Sequence, residues 1–200
     1  INVLLRDGCV VGRPAYPAGT SVATTNVNDR LINAVACCFA QMGAPHGIAE
    51  GGAMMASGMA VVSGTDPLRG DRAYVNLLFV GYSGGPGIHG HDGWITYLAS
   101  ENGGMIVLDS VEIDESMYPI IVEGRWLEPD TLGAGEFDGA PGIKLVYRPI
   151  ADDMTVIYAS DGEENPGLGV QGGLVGAPAA NYKRRADGEM VRLPAFHQEV

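Results

Sequence analysis

The stretch from Ser83 to Trp94 concentrates the reactive chemistry this sequence offers: a serine, two histidines and an aspartate set among five glycines. His89 and His91 stand two apart, so an extended backbone puts both imidazoles on one face, with Asp92 adjacent. Such imidazoles can transfer protons or bind a metal, and glycine backbone can bring N–H groups close to an anionic substrate. Two imidazoles are too few for a complete metal site. Three readings stand side by side: histidines that tie the loop to itself or to a partner, a substrate-side role, and metal ligation.

Two enzyme motifs overlap this stretch. Gly81-Tyr82-Ser83-Gly84-Gly85 fits G-x-S-x-G after an apolar run, and Asp152 or Asp161 followed by His197 would complete a serine, acid, base order. A nucleophile elbow needs a helix directly after its serine, and the GGPGIHGHDG that follows cannot propagate one. Gly85-Pro86-Gly87-Ile88-His89-Gly90 fits G-x-G-x-x-G, with Asp109 near the place of a ribose-binding acid. A dinucleotide site again requires a helix from the third glycine, and the break at Asn102-Gly103-Gly104 leaves little room for one. A free-standing serine hydrolase therefore stays only as a minor option, testable by fluorophosphonate labelling of Ser83.

A second constellation is the run Asp109 to Glu115, with carboxylates at Asp109, Glu112, Asp114 and Glu115. Paired acids whose pKa values are driven apart can do acid–base work. Read as an extended strand, the run puts Glu112 and Asp114 on one face opposite Val111 and Ile113, a solvated or interface strand edge.

The elements that position these residues must be short, because Gly and Pro supply 30 and 12 of the 200 residues. A bundle of long helices is excluded at that glycine density, while 46% apolar and only 18% charged residues argue for a packed core rather than disorder. The length suits one domain over residues 1–200. A net charge of −12 makes nucleic acid a poor partner, and the basic cluster Lys183-Arg184-Arg185 reads as a solvated turn. No run is long and apolar enough for a membrane span. Cys9, Cys37 and Cys38 are odd in number and lack C-x-x-C spacing, so they read as reduced thiols of a cytoplasmic protein, the latter two as core packing. Ile1 is not an initiator Met, which points to a processed or truncated chain or a piece of a longer one.

One long amphipathic helix is expected over about 25–42. Val27, Leu31, Val35 and Phe39 recur at i+4, Thr24 or Thr25 can cap the start, and Gly43 then Pro45 stop it. Strands are expected at Tyr74–Val80, Gly104–Leu108, Pro119–Glu123, Ile143–Arg148 and Met154–Ala159, the last two joined as a hairpin. After Ser160 the apolar, glycine-rich chain reads as an ordered wrapping segment. The fold class is α+β: β-rich mixed sheets with glycine-rich loops and the one prominent helix.

The order of the fragments resembles the hydantoinase B family, which includes the matching part of 5-oxoprolinase and the large subunit of acetone and acetophenone carboxylases. The resemblance rests on five blocks in order: Pro14-Ala15-Tyr16-Pro17-Ala18 with the helix after it; Ser83-Gly84-Gly85-Pro86-Gly87 leading to Gly90-His91-Asp92-Gly93; Val111-Glu112, Glu115 and Tyr118-Pro119; Glu128-Pro129-Asp130 leading to Gly133-Ala134-Gly135 and Gly139-Ala140-Pro141-Gly142; and Asn165-Pro166 and Gly169 before Gly172-Gly173 and Gly176-Ala177-Pro178. It corresponds to the C-terminal portion of the family's subunit. The chain departs at Thr131-Leu132, where the family commonly has Ser-Gly, and at Asp138-Gly139-Ala140, where it has Arg-Gly-Gly.

The resemblance implies ATP-dependent chemistry on a carbonyl, either opening a cyclic amide or imide or carboxylating a ketone, in a chain that is not active alone. ATP and Mg belong to a separate hydantoinase A-type subunit or domain. A divalent metal belongs to the family's N-terminal half, so no metal ligand is expected here. The expected partners are that A-type subunit, the N-terminal half of the B-type subunit and a small-molecule carbonyl substrate. The positions expected to face the shared cavity are Ser83, Gly84 and Gly85 for substrate binding, with His89, His91 and Asp92 for catalysis. A noncatalytic scaffold supporting a partner's active site is the alternative of another class.

Overall fold

The computed structural model describes residues 4–8, 11–13, 15–17, 26–52, 57–78, 80–81, 84–95, 97, 100, 107–150 and 153–200. Helix α1 (Asn28–Ala40) forms where the i+4 pattern expects it and stops at Gly43, whose φ of 92° suits a residue without Cβ. Its start carries no side-chain cap, and the Thr24 and Thr25 expected there lie outside the described residues. Strand β1 (Val61–Asp66) runs antiparallel to β2 (Arg72–Leu77) through a tight turn, where Asp66 Oδ1 accepts from Leu68 N at 3.0 Å and Gly70 takes φ 69°. Helix α2 (Val111–Met117) and strands β3 (Ile120–Glu128), β4 (Gly142–Pro149), β5 (Met154–Ala159), β6 (Asn181–Arg184), β7 (Met190–Leu193) and β8 (Phe196–Glu199) follow.

The described strands form three antiparallel units: a four-stranded sheet in the order β2-β1-β5-β8, the ribbon β3-β4 and the hairpin β6-β7. The inner face of the large sheet and the β3-β4 ribbon enclose the core. Val62, Leu78, Val80, Ile120 and Met154 are buried there, with Tyr74, Tyr118, Leu145, Tyr147 and Val156 packed around them. Burial pushes the Tyr147 phenol far above its ordinary value. The α+β class is as expected, and among the described residues no helix is long and apolar enough to cross a membrane.

Three local expectations are corrected, and a fourth falls mostly outside the described residues. The run after Asp109 is not a strand. It is helix α2, because Ser110 Oγ accepts from Ile113 N and two carboxylates occupy the first turn, where the helix dipole favours them. Asp114 is consequently buried while Glu112 is exposed. Ile143–Arg148 and Met154–Ala159 are both strands but do not pair: β4 pairs with β3, and β5 lies between β1 and β8. The Lys183-Arg184-Arg185 cluster is no bare turn. Lys183 and Arg184 lie on β6, and the three pair with Glu199, Glu123 and Glu189. Of the expected strand at Gly104–Leu108, Leu108 has no regular structure and residues 104–106 lie outside the described set.

Helix α1 also turns the opposite way to the simplest reading of its apolar stripe. Leu31, Val35 and Phe39 are 43%, 47% and 53% exposed, whereas Asp29, Asn33 and Ala40 are buried. Cys37 is half-buried and Cys38 exposed, both free thiols, so Cys38 is not a core residue. Burial, then the charge of Glu50, raises the Cys37 thiol above its ordinary value. Cys9 lies outside the described residues.

Candidate functional site

The glycine loop is built by close backbone packing. Gly85 N donates to Trp94 O at 3.0 Å, Ala140 N to Gly85 O at 2.8 Å, and Gly93 N to Asp138 O at 2.8 Å. A Cβ on Gly84 would stand 2.0 Å from Ala140 O, and one on Gly87 would stand 2.5 Å from Phe137 O. The segment therefore needs glycines so that residues 84–94 can lie flat against 137–141. This corrects one expectation: the N–H groups of Gly85 and Gly93 are already spent on carbonyls and cannot cradle an anion.

At the tip, Ile88 and His91 exchange both backbone hydrogen bonds at 3.0 Å, with His89 and Gly90 between them and Gly90 at φ 90°. Residues 91–95 are not helical, so the tip of the G-x-G-x-x-G pattern is a two-residue turn rather than the start of a helix. The His89 ring meets the Phe137 ring edge-on at 5.6 Å. Asp92 Oδ1 accepts from Asp138 N at 2.9 Å, and Asp138 Oδ1 in turn accepts from Gly135 N at 2.9 Å. Asp92 thus clasps one glycine segment to the next.

A groove of about 1920 Å³ opens beside this loop. Its walls are the loop at Gly84, Gly85, Gly87 and His89, the segment Gly133–Phe137, strand β4, and the glycine-rich stretch 167–178. The last two glycine segments are joined backbone to backbone, Leu174 N donating to Ala134 O at 2.8 Å and Ala177 N to Thr131 O at 3.0 Å. This is the ordered wrapping segment expected after Ser160. Sites for single small molecules occupy roughly 300–1,000 Å³, so this groove is about twice what one such ligand fills.

Of the expected site residues, Gly84, Gly85 and His89 line the groove. His91 and Asp92 are exposed and are not among the residues that line it. Ser83 and Asp152 lie outside the described residues, and His197 sits on β8 with Nε2 2.8 Å from Glu199 Oε2. Among the described residues, no group of three or more His, Cys, Asp or Glu is placed to hold a metal. With the amides of Gly85 and Gly93 spent, no phosphate cradle is formed by this loop either.

A polar network escaped the sequence reading. Arg30 pairs with Asp29, reaches Glu50 at 3.5 Å and Asp161 at 3.4 Å, and donates to Gly52 O at 3.1 Å. Burial alone would lower its pKa, but Asp161, Asp29 and Glu50 together raise it. Buried Asn33 donates to Asp29 O at 2.9 Å and accepts from Gly51 N at 2.8 Å, and Asp29 Oδ1 accepts from Ser100 N at 2.7 Å. Glu50 lines the groove and accepts from Leu168 N at 3.1 Å through Oε2. The network therefore hangs the groove wall on helix α1. The signal was present: Asp29, Asn33 and Ala40 fall on one helical face, as polar and small residues opposite the apolar stripe.

A family model described as Hydantoinase B/oxoprolinase matches residues 1–199. The chain belongs to this family. It is 29% identical over 157 residues to caprolactamase subunit beta of Pseudomonas jessenii, covering 78% of this chain and 26% of that protein. It is 35% identical over 83 residues to an uncharacterized protein of Methanocaldococcus jannaschii, covering 42% of this chain and 14% of that protein. The fold is shared with a chain of nucleotide-free acetone carboxylase, from a study of ATP-dependent acetone carboxylation, at TM-score 0.60 and 18% identity, over 76% of this chain and 20% of that one. This hydantoinase B-type chain thus spans about a quarter or less of the relatives it matches.

Proposed function

We propose that this chain forms part of the hydantoinase B-type subunit of an ATP-dependent enzyme that opens a cyclic amide or imide, of hydantoin, N-methylhydantoin, oxoproline or lactam type. One observation carries the reading: the groove, at about 1920 Å³, is about twice the volume a small ligand fills. It is one wall of a chamber that other elements complete. The caprolactamase relative favours ring opening, since its name gives a lactam as what it acts on.

In this reading ATP, held with Mg by a hydantoinase A-type partner, supplies the phosphoryl group that activates the carbonyl oxygen, and the divalent metal sits in the N-terminal half of the B-type subunit. This chain's residues shape and service the other side. Gly84 and Gly85 form the stretch of groove wall that faces the ring, and Ser83, which precedes them in the sequence, is the further substrate-binding candidate. His89, edge-on to Phe137, is the proton carrier on the loop side of the groove, across a wall that His46 also lines, and His91 and Asp92 hold the turn that aims it.

A ketone carboxylase of acetone or acetophenone type is the second reading, because the same fold occurs in acetone carboxylase and the fold alone does not choose between them. A noncatalytic wall is the third. In the assembled complex, His89→Ala separates chemistry from scaffolding: lost turnover with intact assembly supports a chemical role, unchanged turnover supports the scaffold. Incorporation of labelled bicarbonate into acetone or acetophenone identifies the carboxylase.

A further inference from the structure

We infer that the outer face of the β2-β1-β5-β8 sheet is covered, in the working enzyme, by the portion of the hydantoinase B-type subunit that this chain does not span. The register defines that face. Val61 stands opposite Leu77 on one side and Ile157 on the other, Ser63 opposite Val75, and Ala159 opposite Phe196. Their neighbours Val62, Met154 and Tyr158 point the other way and are buried in the core. The outer set is therefore the second face of the same pleat.

That face does not look like a surface that meets water. Antiparallel sheets with one solvated side alternate apolar-in with polar-out. Here Val75, Phe196, Leu77 and Ile157 are 67%, 75%, 37% and 37% exposed, and the other outward positions on the four strands are Val, Ala, Ser, Thr and Gln. Not one outward position carries a charge, in a chain whose net charge is −12. The cations of β6 and Lys144 line the groove instead. An uncharged, largely apolar sheet face fits a permanent interface, the kind that resembles a core cut in half, rather than a transient or electrostatically steered one.

The occupant follows from length. This chain covers 26% of the caprolactamase subunit and 20% of the acetone carboxylase chain, so in such relatives most of the chain lies outside the region matched here. A complementary apolar, uncharged layer from that remainder is the occupant, and a second copy of this chain is the competitor. The assignment rests on the reading above only for the partner's identity, not for any chemistry.

Single variants Val75→Cys and Ile157→Cys, modified with a maleimide and located by peptide mass spectrometry, test it in the isolated chain and in the native assembly. Both thiols should react quickly in the isolated chain and at least about tenfold more slowly in the assembly, since modification then requires local opening. Equal rates in both samples overturn the assignment, and so does recovery of the chain only as a lone monomer. Protection already present in the isolated chain, with sedimentation as a dimer, hands the face to a second copy and also overturns it. Protection in an assembly that shows no ATP-dependent turnover leaves this interface standing and sinks the functional reading alone.

Discussion

A methyl group on Gly93 would stand 2.1 Å from the carbonyl oxygen of Gly85, so these two residues meet backbone to backbone with nothing between them. That contact shows what the loop's glycines do: they let backbone pack directly on backbone. The glycines are consumed in letting three chain segments lie against one another, and the wall of the groove is the result. Gly93→Ala should cost roughly 3 kcal/mol, because the obstacle is backbone rather than a movable side chain. Gly90→Ala meets nothing within 4 Å and should cost only about 1 kcal/mol for its positive φ. Denaturant unfolding of the two variants, side by side, checks the order.

The Arg30 network predicts a large contrast between two arginines. Arg30→Ala leaves Asp29, Glu50 and Asp161 gathered without their cation and should cost roughly 2–4 kcal/mol. Arg184→Ala removes an exposed partner of Glu123 and should cost under about 1 kcal/mol. Thermal unfolding of both variants measures the difference.

Much of this was legible in the sequence. The i+4 pattern and the Gly43 and Pro45 stop located α1, and strands β2 to β5 were read from their apolar runs. Which face of α1 is buried was not, because periodicity shows a stripe without showing what covers it; here polar Asp29 and Asn33 face inward. The α2 helix was missed because seven residues are too few to tell period 3.6 from period 2 when acids and apolar residues alternate. The capping Ser110 was the overlooked sign. Strand partners were not legible either: β4 and β5 are close in sequence, yet longer-range pairing with β3 and β1 wins. For the site, His89 lines the groove, while the shared face expected for His91 dissolved because Gly90 turns the chain back.

Asp114 gives a pH-dependent prediction. Burial raises its carboxyl pKa, Asp109 adds to this, and the Asn76 amide at 3.5 Å opposes it, while Oδ2 has no partner. A carboxyl raised in the folded state binds more protons folded than unfolded, so it lowers stability as pH climbs from its unfolded value through its folded one. Asp114→Asn should therefore stabilise the chain at pH 7, by about 1 kcal/mol, and lose that advantage toward the unfolded value near pH 4. Unfolding free energies of both proteins from pH 3.5 to 7 test the sign.

His89 and His91 should separate in the assembled enzyme. His89→Ala, on the groove wall, should lower kcat by about a hundredfold if it carries the proton. His91→Ala, exposed outside the groove and bonded there through its backbone, should leave kcat within roughly threefold if its part is only to hold the turn. Steady-state kinetics with a lactam or hydantoin substrate reads both.

The central claim, that this polypeptide is one wall of a shared ATP-dependent chamber, is tested most directly by following ring opening of caprolactam, oxoproline and hydantoin with ATP consumption, first on the isolated chain and then on the assembly that contains it. The account predicts no turnover in the first case and strictly ATP-dependent opening of one of these rings in the second. Ring opening by the isolated chain would contradict it.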